Sequence, residues 1–305
     1  MTFAPTSRTH LPNLGLLLDV DGPIASPVTR TIAIPSIVTD LVALAAAGVP
    51  IAFITGRSDA FIREQVVEPL LAAGLADALR RPGARMYGVF EKGASWATID
   101  AHGMGAVEVD ASVSLGAAAA DAVRQLVAAE FGNTMFFDET KRAMISVEQN
   151  PHIATADYVS EQARFQDAVY EVLTGDLGIG LRYRDRSMAD GNGAMPFRID
   201  PTIISTDIES VLLDKDRGAA RALEQFAQLG PLPQRWRTVG DSRSDYKMAD
   251  QLHADGFEVA HVDVRPRDGI LERDYPVITE GDLVNDEAGA AFLAYWRAHL
   301  APEPG

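Results

Sequence analysis

The stretch Leu14–Ile24 reads LGLLLDVDGPI. Its apolar part is a short continuous run of the kind that forms a buried strand. The run ends in two carboxylates, Asp19 and Asp21, separated by one residue. In extended backbone such a pair lies within a few ångströms. Each charge then raises the other's pKa unless something positive stands between them.

The segments that follow place this strand in a fold. Ser36–Ala47 reads as a helix ending at Gly48, and Pro50–Thr55 (PIAFIT) as a second buried strand. Ser58 is the expected cap of a helix over Asp59–Ala73. Strand, helix, strand, helix implies a parallel sheet with helices on its faces. From about Ala101 the texture changes. Helices over Leu115–Phe131 and Ala156–Leu173 are each followed by two strands: Thr134–Phe137 and Arg142–Glu148, joined by DETK, then Gly178–Arg184 and Met195–Ile199. This reads as an inserted α+β domain (αββ-αββ) over residues 100–205, dividing an α/β core of residues 1–99 and 206–305. The core pattern resumes with a helix over Lys215–Leu229, strands over Arg237–Val239 and Phe257–Val262, and a helix over Ala288–Leu300.

Composition narrows the function. The chain has 305 residues, 47% of them hydrophobic, and a formal net charge of -16. That charge disfavours nucleic acid and anionic membranes, which need a positive field. With Cys 0 and six scattered histidines (His10, His102, His152, His253, His261, His299), neither a disulfide framework nor a zinc centre is expected. A metal here should be a hard cation held by oxygen. The opening MTFAPTSRTHLPN has no long apolar run, so no signal peptide is expected. No later segment is apolar enough to span a bilayer, and the cytoplasm is the expected location.

Three apolar strands each end in a polar signature. They are Asp19-Val20-Asp21-Gly22, Thr55-Gly56-Arg57-Ser58 and Gly240-Asp241-Ser242-Arg243-Ser244-Asp245. In an open parallel sheet these ends converge on the edge where ligands bind. The groups suit phosphoryl transfer. Asp19, Asp21 and Asp241 can gather around one Mg²⁺, which neutralises the clustered acids. One carboxylate can attack phosphorus and a second can move a proton. The Thr55 hydroxyl and Gly56 amide would hold phosphate oxygens, and Lys215, opening its helix, can supply the missing cation.

These motifs resemble those of the haloacid dehalogenase superfamily of phosphohydrolases. Its DxDG is matched by Asp19–Gly22, its Thr/Ser motif by Thr55, its Lys by Lys215 and its GDxxxD by Gly240–Asp245, all in order. The insertion between the second and third motifs looks like a C2-type cap on a Rossmann-like core. The TGR form and Glu91-Lys92-Gly93-Ala94 are similar to the Cof-like and sugar-phosphatase branch. Pro23 stands where the family usually has Thr, Lys92 departs from the usual ENG, and Lys215 is followed by Asp216-Arg217 before Gly218.

The resemblance implies that Asp19 is the nucleophile and Asp21 the acid/base, with its main-chain carbonyl on the metal. It implies that Thr55, Gly56 and Lys215 bind the phosphoryl group. Asp241 would ligate Mg²⁺, and Asp245 would be a further ligand or orient Lys215. Arg57, Lys92, Arg182 and Arg184 are candidate substrate contacts, and Arg57 is equally a candidate for a structural ion pair with a core carboxylate; alternation puts Arg182, Arg184 and Arg186 on one face of a cap strand. The expected activity is Mg²⁺-dependent hydrolysis of a small phosphorylated metabolite, a sugar or polyol phosphate, through an aspartyl-phosphate. The alternatives are a phosphomutase of the phosphomannomutase type and a non-catalytic ligand-binding relative. A receiver-like phospho-acceptor is disfavoured by chain length. The sequence leaves the oligomeric state open.

Overall fold

The computed structural model describes residues 12–300, so His10 and most of the MTFAPTSRTHLPN stretch lie outside the described residues. The chain divides into two units, one running to Val107 and resuming at Asp214, the other spanning Glu108–Leu213. Both boundaries fall later than the 100 and 205 read from the sequence. One reason is that Ser205–Ser210, not recognised as a strand, pairs with Phe197–Pro201 and Ile145–Gln149 inside the second unit.

The first unit is built on one sheet, in the order Val277–Ile278, Glu258–Asp263, Arg235–Gly240, Gly15–Leu18, Ile51–Ile54, Met86–Phe90, Ser95–Asp100, Gly103–Met104. The strands from Val277–Ile278 to Met86–Phe90 pair in parallel. Ser95–Asp100 and Gly103–Met104 extend the sheet antiparallel. The Gly15–Leu18 strand is central. The chain adds strands on one side of it and later returns to the other side. That reversal of direction opens a crevice at the carboxyl ends of the strands, where α/β proteins bind ligands.

Leu16, Leu17 and Leu18 are fully buried, as are Ile51 through Ile54. Such strands read as unbroken apolar runs because helices cover both faces. On one face, Leu16, Leu18 and Phe53 pack with Ile37, Leu41 and Leu44 of the Pro35–Ala46 helix and with Phe292 and Trp296 of Asn285–Ala298. On the other, Leu17, Ile54, Val89 and Trp236 pack with Ala219, Ala222 and Phe226 of Lys215–Leu229 and with Met248 and Leu252 of Tyr246–Ala254. The Met86–Phe90 and Ser95–Asp100 strands were not legible in the sequence, where Gly88 interrupts the first and Ser95, Thr98 and Asp100 break up the second. The helix expected over Asp59–Ala73 is interrupted by a π turn at Arg63–Val67.

The second unit carries a sheet in the order Arg186–Met188, Leu181–Tyr183, Phe197–Pro201, Ser205–Ser210, Ile145–Gln149, Met135–Phe137. Val123 and Val127, next to each other along the Ala117–Leu126 helix and its following π turn, join Phe165 and Val169 of Thr155–Glu171 in covering one face. The opposite face carries polar pairs: Ser146 donates to Asp207 at 2.6 Å, and Arg198 to Glu209 at 2.7 Å. The doubled helix-strand-strand pattern therefore holds, with two further strands in the second half.

Arg182, Arg184 and Arg186 do not share a strand face, contrary to the alternation argument. The strand ends at Tyr183, Arg184 occupies a turn with φ 54°, and Arg186 starts the returning strand. Arg186 pairs with Glu171 and Asp167, and Arg184 reaches Gln166 at 3.4 Å. Only Arg182 keeps the orientation expected of it, exposed opposite the buried Leu181 and Tyr183. Among the described residues no helix is long and apolar enough to cross a membrane.

Candidate active site

The carboxyl ends of three adjacent parallel strands bring the sequence motifs together within the first unit. The Asp19 amide donates to Val239 O at 2.9 Å, and the Thr55 amide to Val89 O at 3.0 Å. The sheet register thus fixes both residues just beyond the last buried apolar side chain. The turn after Asp19 is tight: the amides of Ile24 and Ala25 donate to Val20 O, and that of Gly22 donates to Ala25 O. None of these bonds uses residue 23, so a proline is accommodated there although it has no N–H.

Two glycines are needed for the acids to meet. Gly22 has φ +97°, and a β-carbon on it would lie 2.9 Å from Asp241 Cβ. A β-carbon on Gly240 would lie 2.1 Å from Asp245 Cβ. Gly22 therefore lets Asp241 approach the end of the central strand, and Gly240 lets the Asp241–Asp245 loop fold back on itself.

Lys215 is the hub. Its helix is capped by Asp214, which accepts from the Lys215 amide at 2.8 Å and also pairs with Lys247. From this first turn the Lys215 side chain reaches inward. Its Nζ donates to Asp19 Oδ1 at 2.6 Å and Ile54 O at 2.8 Å, and lies 2.7 Å from Asp245 Oδ1. All three charged groups are buried. Burial works against the Lys215 charge, but Asp19 and Asp245 outweigh it and raise its pKa. Asp245 is held below the usual carboxylate range, because Lys215 outweighs the cost of burial. Its Oδ2 accepts from the Ser242 amide at 2.9 Å and the Ser242 hydroxyl at 2.7 Å, so it also fixes the loop.

Asp19 is different. Burial, then Asp245, raises its pKa well above the usual value, and the opposing pull of Lys215 does not restore it. Asp241 is pushed up to about 6 by burial and by Asp245. Carboxylate oxygens of Asp19, Asp241 and Asp245 lie within 4.8 Å of one another. The site is thus a cluster of hard oxygen donors short of positive charge.

The structure separates the two acids of the opening motif. Asp21 does not join the cluster through its carboxylate; Asp19, Asp241 and Asp245 form it. Asp21 is instead gripped by Arg57, whose Nε donates to Oδ2 at 2.9 Å and Nη2 to Oδ1 at 3.0 Å. Arg57 in turn lies over the Phe61 ring, 4.8 Å from its centroid. Thr55 is fully buried, and its Oγ1 accepts from the Arg57 amide at 3.0 Å, leaving the hydroxyl proton available to a ligand.

The Glu91-Lys92 segment is pinned to the same loop. Lys92 N donates to Thr55 O at 3.0 Å and Glu91 N to Arg57 O at 3.2 Å. Both residues adopt positive φ, and the Lys92 side chain passes over Gly56, its Cε 3.8 Å from where a β-carbon would stand. Arg182 and Arg184 belong to the second unit.

One residue at this edge was missed. Arg265 follows the next strand over, and its Nη1 lies 3.3 Å from Asp241 Oδ2. The sequence did carry a signal, because VDVR leaves the Glu258–Asp263 strand on the same edge as the other motifs.

No protein-family model matches the chain, and no curated protein matches its sequence. Solved structures do resemble it. The C-terminal domain of C. albicans trehalose-6-phosphate phosphatase superposes with a TM-score of 0.58 at 13% identity, covering 97% of this chain and 99% of that one. A haloacid dehalogenase-like hydrolase from Bacteroides thetaiotaomicron gives 0.53 at 11% identity, over 92% and 98%. ATP-bound IMP-nucleotidase from Plasmodium falciparum gives 0.53 at 12% identity, over 95% of this chain and 61% of that longer one. At such identities the likeness speaks for architecture: this chain has the fold of the haloacid dehalogenase-like hydrolases.

Proposed function

We propose that the protein is a Mg²⁺-dependent phosphatase that hydrolyses a small phosphorylated metabolite, a sugar or polyol phosphate, through a phosphoryl group carried on Asp19. The observation that carries this reading is the Asp19–Lys215–Asp245 triad, buried at the strand ends beside Thr55. It places a carboxylate and an ammonium side by side at the strand ends, the pairing that phosphoryl transfer through Asp19 requires.

Asp19 is the nucleophile. A carboxylate oxygen bonds to phosphorus while the bond from phosphorus to the leaving oxygen breaks. Lys215 and the Thr55 hydroxyl offset charge on the equatorial oxygens in a site shaped in advance. Asp21 is the group for proton transfer. It is the exposed member of the acids, its side chain 39% accessible, and Arg57 fixes its orientation. In its protonated form it gives a proton to the leaving oxygen, and as the carboxylate it then takes one from the water that attacks phosphorus. That attack breaks the acyl phosphate and returns Asp19 as a carboxylate.

The donor set fits a hard divalent cation. Asp19 and Asp241 would hold Mg²⁺ with the Asp21 carbonyl, and Asp245 would steady both Lys215 and the loop bearing Asp241. The cation, when bound, supplies the missing positive charge and screens the phosphoryl group from the anionic nucleophile.

The test is phosphate release from a panel of phosphorylated sugars, polyols, nucleotides and an aryl phosphate, with Mg²⁺ and with EDTA. Release should require the cation and should disappear in Asp19→Asn while the folded circular dichroism spectrum persists. Turnover at the wild-type rate by Asp19→Asn would refute the mechanism. An isomerised sugar phosphate in place of free phosphate would favour a mutase.

A further inference from the structure

Arg265 belongs to none of the motifs, yet it is placed with care. Val264 is tied by its amide to Gly240 O at 3.0 Å, and the Arg265 amide donates to Asp263 Oδ1 at 2.7 Å. Asp263 is itself buried and accepts from the Tyr246 hydroxyl at 2.6 Å. The backbone of Arg265 is therefore fixed, while its side chain is 45% exposed and divided between two carboxylates. Nη1 faces Asp241, and Nη2 pairs with Asp268 in the turn Pro266–Asp268. Beside it lies a cavity of about 200 Å³, lined by Asp241, Arg243, Tyr246, Asp263, Asp268 and Gly269 among others. The guanidinium thus has both a second partner and space to move into.

We propose that Arg265 is an internal competitor for the cation at Asp241: it neutralises Asp241 when no divalent ion is bound and withdraws to Asp268 when one enters. This rests on the reading of Asp241 as a metal ligand. A divalent cation and a guanidinium cannot both be held at one carboxylate without mutual repulsion, so each weakens the other. The Arg265–Asp268 pair then sets how tightly the protein takes up its metal. Asp268 favours release of Asp241 because it gives the displaced guanidinium a counter-charge.

The experiment is Mg²⁺ titration by calorimetry on the full chain, alongside the Mg²⁺-induced shift in melting temperature. Arg265→Ala should bind Mg²⁺ about tenfold more tightly than wild type, as expected for removing a unit charge from beside a divalent ion at a half-exposed position. Asp268→Asn should bind it several-fold more weakly, because Arg265 loses its alternative partner. Opposite shifts in the two variants are the expected result. Unchanged or weaker binding in Arg265→Ala overturns the competitor role, as does a shift of both variants in the same direction. Wild-type protein that binds no Mg²⁺, or binds it equally well as Asp241→Asn, would overturn the metal-ligand reading itself.

Discussion

Replacing Lys215 by Met tests whether the triad is as tightly coupled as the distances imply. The change keeps length and apolar stem but removes the ammonium between Asp19 and Asp245. Removing one partner of a buried ion pair leaves an uncompensated charge and costs about 3–5 kcal/mol. Here one lysine serves two buried carboxylates and the Ile54 carbonyl. The loss should therefore lie in the upper part of that range, a large share of the ~5–15 kcal/mol that holds a domain folded. Urea unfolding at pH 7.5 in EDTA would measure it. The double variant Asp19→Asn/Lys215→Met provides the control. It removes one stranded charge and should recover about 1–2 kcal/mol of the loss, a coupling that only neighbouring groups show. A loss below about 1 kcal/mol in Lys215→Met with an unchanged m-value, or no recovery in the double variant, would refute the account of a buried network.

Acidification should separate two buried groups with opposite signs. Asp241, raised from 3.8 to about 6 in the fold, binds its proton more tightly when native, so it adds stability as pH falls through 6. His261, lowered from 6.5 to about 4 by burial, is protonated first in the unfolded chain and removes stability as pH falls below 6.5. Asp241→Asn lacks the first effect. Its metal-free stability should therefore fall more steeply than wild type between pH 7.5 and 5, by about 1 kcal/mol; equal slopes in denaturant titrations would contradict the raised carboxyl. Gly22→Ala should cost about 1–3 kcal/mol from its left-handed backbone and the approach of Asp241 Cβ, and should weaken Mg²⁺ binding. Gly240→Ala should be more severe, because the clash with Asp245 Cβ is closer. The reverse order in melting temperature would show that the loop yields more easily than its packing suggests.

Much of this site was legible from local sequence. A fully buried strand such as Leu16–Leu18 announces itself as an apolar run, and the residue that ends the run must lie at the sheet edge. Asp19, Thr55 and Asp241 were found in that way. Lys215 could be placed because it opens a helix directly after the inserted domain, where the third motif is expected. The strands Met86–Phe90 and Ser205–Ser210 were not found, since Gly88 interrupts one and the other, STDIES, has almost no apolar residues. Their pairing comes from neighbours distant in sequence.

The sequence by itself determined which chemical groups leave the parallel strands on one edge, because strand ends and glycine positions are local properties. Only the tertiary structure decided how those groups are partnered. It gave Asp21 to Arg57 and Asp241 to Arg265, and it broke the expected row of Arg182, Arg184 and Arg186 with a turn. Charge pairing over a few ångströms depends on sheet register and loop closure, and a linear pattern contains neither.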